Sequence, residues 1–246
     1  MKTKISWIIY CLMSLVLLQP LSAAERFVAN EGSGFVWIRQ GKAYPILIDP
    51  QEDKGVVRAV VNLQTDAGKV TGVTPEIIYS ASGRRMLIVG SIENSSWIKQ
   101  LLQSGKINAA DLQGKREKYI LQTVKNPIGG VEEAVVIAGS DKRGTIYGIY
   151  ELARQMGVSP WYFWADVPVE KHDVISIKEG IYTDGEPAVK YRGIFLNDEW
   201  PSLGGWASTT FGGFNSKFYE TVFELVLRLK LSLIHISEPT RLGMIS

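Results

Sequence analysis

Between residues 25 and about 185, short runs with the period of a β-strand alternate with runs of helical period. That alternation constrains the fold more than any other feature, because it calls for an α/β layer and excludes a sandwich or a bundle. Residues 34–39 and 44–48 read as strands, the second stopped by Asp49 and Pro50. A helix is expected over 56–67, where Val56, Val60, Leu63 and Ala67 share a face and Gly68 supplies the stop. Residues 85–89 form a buried strand candidate, and Ser95 or Ser96 can cap the next helix, whose Ile98, Leu101 and Leu102 face inward. A strand pair over 118–124 and 134–138, mixed in direction rather than all parallel, precedes a helix over 144–156 that carries Ile146, Ile149, Tyr150 and Ala153 on one side.

The composition changes around 179–187, where Gly180, Gly185 and Pro187 mark a domain boundary. Beyond it lie a strand over 191–196, a Gly- and Trp-containing loop over 197–214, and a helix capped by Asn215 with Phe218, Val222, Leu225, Val226 and Leu229 on one stripe. A single β/α unit cannot bury both of its faces, so it is expected to be the first of several, as in a (β/α)₈ barrel.

Both ends stand apart from this pattern. Residues 1–24 carry Lys2 and Lys4 ahead of an apolar run, then Pro20 and the small Ser22, Ala23 and Ala24, as in a cleavable signal peptide. The run falls short of the ~20 residues a membrane span needs. Cys11, the single cysteine, lies inside it behind the bulky Tyr10, so cleavage rather than lipidation is expected, to a secreted or periplasmic product with no membrane attachment. The mature chain then holds no thiol for a disulfide or a metal, and 25 basic residues face 25 acidic ones, a balance that suggests no nucleic-acid partner. At the other end, LSLIHISEPTR matches codon for codon a transposase end and adapter used in sequencing libraries. Residues 231–246, with His235, are therefore expected to be non-native and are set aside in reading the fold.

Three patches could carry chemistry. The run Asn197, Asp198, Glu199, Trp200 and Pro201 follows the expected barrel strand, at the end where barrel active sites form. Glycoside hydrolysis needs two carboxyl groups about 5 to 9.5 Å apart. Asp198 and Glu199 are neighbours whose side chains diverge in an extended backbone, so at most one would serve. A solvated acidic loop explains them equally well. The turn from Gly139 to Gly144 joins a strand to a helix N-terminus and could hold an anion, but Thr145 and Ile146 replace the residues a P-loop requires, and Asp141 capping its own helix explains most of the pattern. The aromatic run Trp161, Tyr162, Phe163 and Trp164 reads as an interdomain wedge, whereas Trp206 is a candidate sugar contact. His172 is expected to be exposed, and no second histidine is available for a metal.

The segments VIAGSDKRGTIYGIYELARQMGVSPWYFWADVPV (136–169), YRGIFLNDEWPSLGGWA (191–207) and FGGFNSKFYETVFELVLRLK (211–230) resemble glycoside hydrolase family 115. The first, with its G-x-D-x-x-G turn, is also similar to the α/β domain that precedes the barrel of hexosaminidases and of another α-glucuronidase family. The resemblance implies a mixed-sheet α/β domain over 25–185 and the first unit of a truncated catalytic barrel over 186–230. It further implies an enzyme that removes glucuronic or 4-O-methyl-glucuronic acid from xylan by inversion, without a metal or other cofactor, often as a homodimer. Asp198 would be the leading catalytic carboxylate and Asn197 and Glu199 its neighbours in the sugar pocket, with a partner group beyond Lys230. A chain of this length would then be inactive alone. A stand-alone carbohydrate-binding or interaction module and a hexosaminidase-type hydrolase are the competing readings.

Overall fold

A computed structural model describes residues 26–197 and 199–236. The expected leader, Asp198 and residues 237–246 lie outside the described part.

Two sheets build the N-terminal region. Strand β1 (Val28–Ala29), β2 (Phe35–Arg39), β3 (Lys42–Ala43) and β9 (Val174–Ile177) form an antiparallel sheet in the order β1-β9-β2-β3. The larger sheet joins β4 (Ile46–Ile48), β5 (Ile77–Ile78), β6 (Arg85–Ser91), β7 (Tyr119–Lys125), β8 (Glu133–Gly139) and β10 (Ile181–Tyr182) in the order β10-β7-β8-β6-β4-β5. Its β5, β4, β6 and β8 run parallel, and β7 and β10 add antiparallel pairings, so the sheet is mixed, as the sequence indicates.

The strand period decides what each face buries. In β6, Leu87 and Val89 point to one side and Met86 and Ile88 to the other, all at 0 % exposure. The first side packs with Val135 and Ile137 of β8 against α1 (Lys54–Thr71) and α3 (Lys142–Gln155), and the small sheet adds Phe35, Trp37 and Ile38 to that cluster. The second side packs against Ile98 and Leu101 of α2 (Ser96–Gln103). Complete burial of each such side chain contributes roughly 1.5–3 kcal/mol.

Local signals set most helix ends. Asp53, Ser95 and Asp141 cap α1, α2 and α3, accepting from the N–H groups of Gly55, Ile98 and Gly144 at 2.8, 3.3 and 2.7 Å. Gly68, the expected stop of α1, instead lies inside the helix, which ends at Gly72 in the left-handed conformation with φ 74°. Gly144 is needed for close approach, because a Cβ there would stand 2.3 Å from the carbonyl oxygen of Lys118.

The C-terminal part comprises β11 (Gly193–Leu196), α4 (Ser202–Phe211), α5 (Ser216–Arg228) and β12 (Leu233–Ile236). Two features differ from the sequence reading. The expected loop over 197–214 contains the helix α4, whose Trp206 and Phe211 rings meet edge-on at 5.5 Å. Part of the segment set aside after Lys230 is a strand: β12 pairs in parallel with β11, Gly193 opposite Leu233 and Leu196 opposite Ile236. An alternating L-I-H-I run suffices for such pairing, since the ladder is made by the backbone. Among the described residues no helix is long and apolar enough to cross a membrane.

Candidate active site

Strand β11 ends at Leu196, and the chain passes through Asn197 and Glu199, both exposed, into a cis Trp200–Pro201 peptide and then α4. Asp198 lies outside the described residues. The Glu199 carbonyl accepts from Gly204 N–H at 3.2 Å, which folds the segment back on itself. Trp200 lies across Gly204 and Gly205: a Cβ on Gly204 would approach its Nε1 to 2.9 Å, and one on Gly205 its Cζ3 to 3.6 Å. The glycine pair thus makes room for an indole that remains 70 % exposed beside Glu199. The sequence reading placed Trp200 in this patch but gave the stacking role to Trp206. The signal available for Trp200 was the pair of small residues one helical turn after it.

Trp206 has a different setting. Its ring stands 5.4 Å from Trp164, 5.5 Å from Phe211 and 6.4 Å from Phe218, leaving it 39 % exposed. It belongs to an aromatic cluster between α4, α5 and the Trp161–Trp164 run, and has less free face than Trp200. The run itself is a wedge: Trp164 meets Phe218 edge-on at 6.2 Å, and the Tyr162 hydroxyl donates to Glu224 at 3.1 Å.

The arrangement offers an amide, an exposed carboxylate and an indole at the C-terminal end of one parallel strand. Such a set can grip sugar hydroxyls and stack on a ring. A single carboxylate cannot act as general acid on one side of a glycosidic bond and as base on the other, so the described residues supply at most half of a hydrolytic pair. Among them no cluster of His, Asp and Glu side chains is arranged to hold a metal.

The turn at Gly139–Gly144 is already neutralised. Asp141 accepts from Gly144 N–H and, at 2.8 Å, from Glu117 N–H, while Lys142 and Arg143 pair with Asp53 and Glu117 at 3.6 and 2.8 Å. His172, expected to be exposed, is half-buried, with its Nε2 3.2 Å from Asn30 Nδ2 and 3.3 Å from a Glu170 carboxylate oxygen. Two buried carboxylates escaped the sequence reading, at the strand ends where α/β proteins often place ligands. Both have structural partners. Asp49 accepts from Gln51 and Ser96 N–H, each at 2.8 Å, and from the Ser96 hydroxyl. Burial raises its pKa, but these bonds outweigh burial and hold it below the usual carboxylate range. Glu52 binds the Ser91 N–H and hydroxyl at 2.8 and 2.9 Å.

Charged groups lock the β/α unit onto the α/β domain. Glu117, at 0 % side-chain exposure, takes Arg143 at 2.8 Å and Arg192 at 2.7 Å. Arg192 also donates to the carbonyls of Val189 and Lys230, tying the start of β11 to the end of α5. Arg228 pairs with Asp66 of α1 at 2.7 Å and lies 4.5 Å from the Tyr150 ring. Burial pushes the Asp66 carboxyl up, with Arg228 and Lys69 pulling against it. Lys230 reaches Glu151 at 2.7 Å. Burial also raises Glu151, yet Arg154, Lys230 and Gln155 more than offset it and bring its pKa to about 2.

Residues 184–237 match the glycosyl hydrolase family 115 model. Among solved structures, a family GH115 4-O-methyl-α-glucuronidase, BtGH115A, described as specific for decorated arabinogalactans, aligns at TM-score 0.68 and 30 % identity over 85 % of this chain and 26 % of its own. The chain therefore spans about a quarter of that enzyme. The β-hexosaminidase of Streptomyces plicatus aligns over 86 % of this chain and 32 % of its own, at 15 % identity and TM-score 0.49, a level that adds nothing to the assignment. No curated protein sequence matches. The family match falls on β11, α4, α5 and β12, the alignment to the glucuronidase takes in most of the α/β domain as well, and the chain belongs to glycoside hydrolase family 115.

Proposed function

We propose that the chain is the N-terminal part of a secreted glycoside hydrolase that removes glucuronic or 4-O-methyl-glucuronic acid side groups from a polysaccharide such as xylan, and that it needs further barrel strands to do so. The observation that carries this reading is the β11–α5 unit. Leu196 of its strand packs on Phe218 and Val222 of α5 while Phe195 is left open on the other face, with Asn197, Glu199 and Trp200 just past the C-terminal end of the strand. In this reading Asp198 acts in the acid/base pair, Asn197 and Glu199 hold sugar hydroxyls, and Trp200, more than Trp206, supplies the stacking face. The opposing carboxyl group comes from another strand.

Release of glucuronic acid from glucuronoxylan and from decorated arabinogalactan tests the proposal, with the 246-residue chain and a protein extended through the remaining barrel strands assayed side by side. The extended protein is expected to release the acid and the shorter chain to release none. In the extended protein Asp198→Ala is expected to lower turnover by about 10²-fold or more. Turnover by the 246-residue chain, or near-normal rates for Asp198→Ala, would contradict the reading.

A further inference from the structure

The hairpin β2–β3 turns at Gln40 and Gly41, whose φ values of 51° and 75° suit the tight twisted turn of a two-residue hairpin. It is pinned from within. The Tyr44 N–H donates to the Trp37 carbonyl at 3.0 Å, and the Trp37 indole Nε1 donates to the Tyr44 carbonyl at 2.9 Å. Beside it, towards the start of β6, opens a cleft of about 640 Å³, within the range of ligand sites. Its lining includes Arg39, Lys42, Tyr44 and Arg85, and no carboxylate.

Three cations and an aromatic face therefore share one opening. Arg85 divides its charge, pairing with Glu133 at 3.1 Å while lying 6.0 Å from the Tyr44 ring. Arg39 and Lys42 are exposed and have no carboxylate partner among the described residues. Tyr44 keeps 37 % of its surface open. The cations at Glu117, Glu151 and Asp66 are held by buried acids, whereas Arg39 and Lys42 share one opening with no acid in its lining.

We propose that this cleft is an accessory binding site for acidic polysaccharide, taking uronic acid carboxylates on Arg39 and Lys42 and the apolar face of a sugar ring on Tyr44. Arg39 and Lys42 are register partners across the β2–β3 hairpin, so one carboxylate can bridge the pair while the ring that carries it rests on Tyr44, a combination of charge and apolar face that a compact phosphate does not offer. One exposed ring, without a succession of stacking platforms, disfavours single-stranded nucleic acid. None of the lining residues belongs to β11, α4 or α5. The site is argued without the hydrolase reading, and its test measures binding rather than sugar release, so either can fail while the other stands.

The test is affinity electrophoresis of the full chain through gels holding glucuronoxylan, unsubstituted xylan, polyglutamate or a single-stranded oligonucleotide. Glucuronoxylan is expected to retard the chain and the other three to do so weakly or not at all. Arg39→Gln/Lys42→Gln should weaken retardation roughly tenfold, the equivalent of about 1.4 kcal/mol. Tyr44→Ala should weaken it too, with Tyr44→Phe restoring the ring and the binding. An unchanged thermal transition in the exposed double variant separates loss of binding from loss of fold. Unaltered retardation of the double variant, no retardation of the parent chain, or equal retention by polyglutamate, oligonucleotide or neutral xylan would overturn the proposal.

Discussion

The α/β domain and the β/α unit that follows it bury their sheets to different degrees. In the large sheet both faces are covered: Leu87, Met86, Ile88 and Val89 are all at 0 % exposure, with helices on the two sides. In the β11–β12 pair exposure alternates along each strand, and Phe195 is 60 % exposed on the uncovered face, where its nearest ring neighbour is His235 at 5.3 Å. Apolar packing holds the first together. The second is held to the first by charge, through Glu117, Asp66 and Glu151, and by the aromatic wedge around Trp164. The contrast teaches that a sheet covered on both sides is held by its own core, while half-exposed apolar strands depend on their neighbours to hold them in place.

The contrast can be broken or sharpened in four ways. Leu87→Ala, in the middle of the covered sheet, is expected to lower stability by about 4 kcal/mol in chemical denaturation, because it leaves a cavity in a packed core. Glu117→Ala removes the shared partner of Arg143 and Arg192 and is expected to lower stability by about 3 kcal/mol, with faster amide exchange in β11 and β12 before the α/β domain loosens. A third test is pH. The folded pKa of Glu151 lies below its ordinary 4.5, so its contribution is fully present above about 4.5 and is lost as pH falls towards about 2. With its partly exposed cations discounted, that loss should be on the order of 2 kcal/mol, and Glu151→Gln should flatten this part of the profile. Phe195→Ala, on the open face, should change stability by less than about 0.5 kcal/mol. A cost near that of Leu87→Ala would mean that the open face is packed after all.

Much of the scaffold was legible because its signals are local. Ser95, Asp141 and Asn215 announce their helices by capping chemistry that acts within three residues, and the continuous apolar runs of β6 and β8 form strands buried on both faces. The antiparallel sheet was harder. Its β1 and β9 meet across most of the domain sequence, and strands as short as Val28–Ala29 carry no periodicity to read. Helix α4 was missed because Gly204, Gly205, Thr209 and Thr210 are poor helix formers and no side chain caps its start; packing of Trp206 and Phe211 holds it instead. At the candidate site, Asn197 and Glu199 were legible from their place after a strand. The open face of Trp200 was not, since it depends on how the chain folds back onto Gly204 and Gly205.

The division into a domain covered on both faces and a half-open β/α unit is tested most directly by residue-resolved hydrogen exchange on the intact chain. Amides of β6 and β8 should exchange only on global unfolding, and those of β11 and β12 at least about 10²-fold faster through local opening. Equal protection in the two regions would contradict the account.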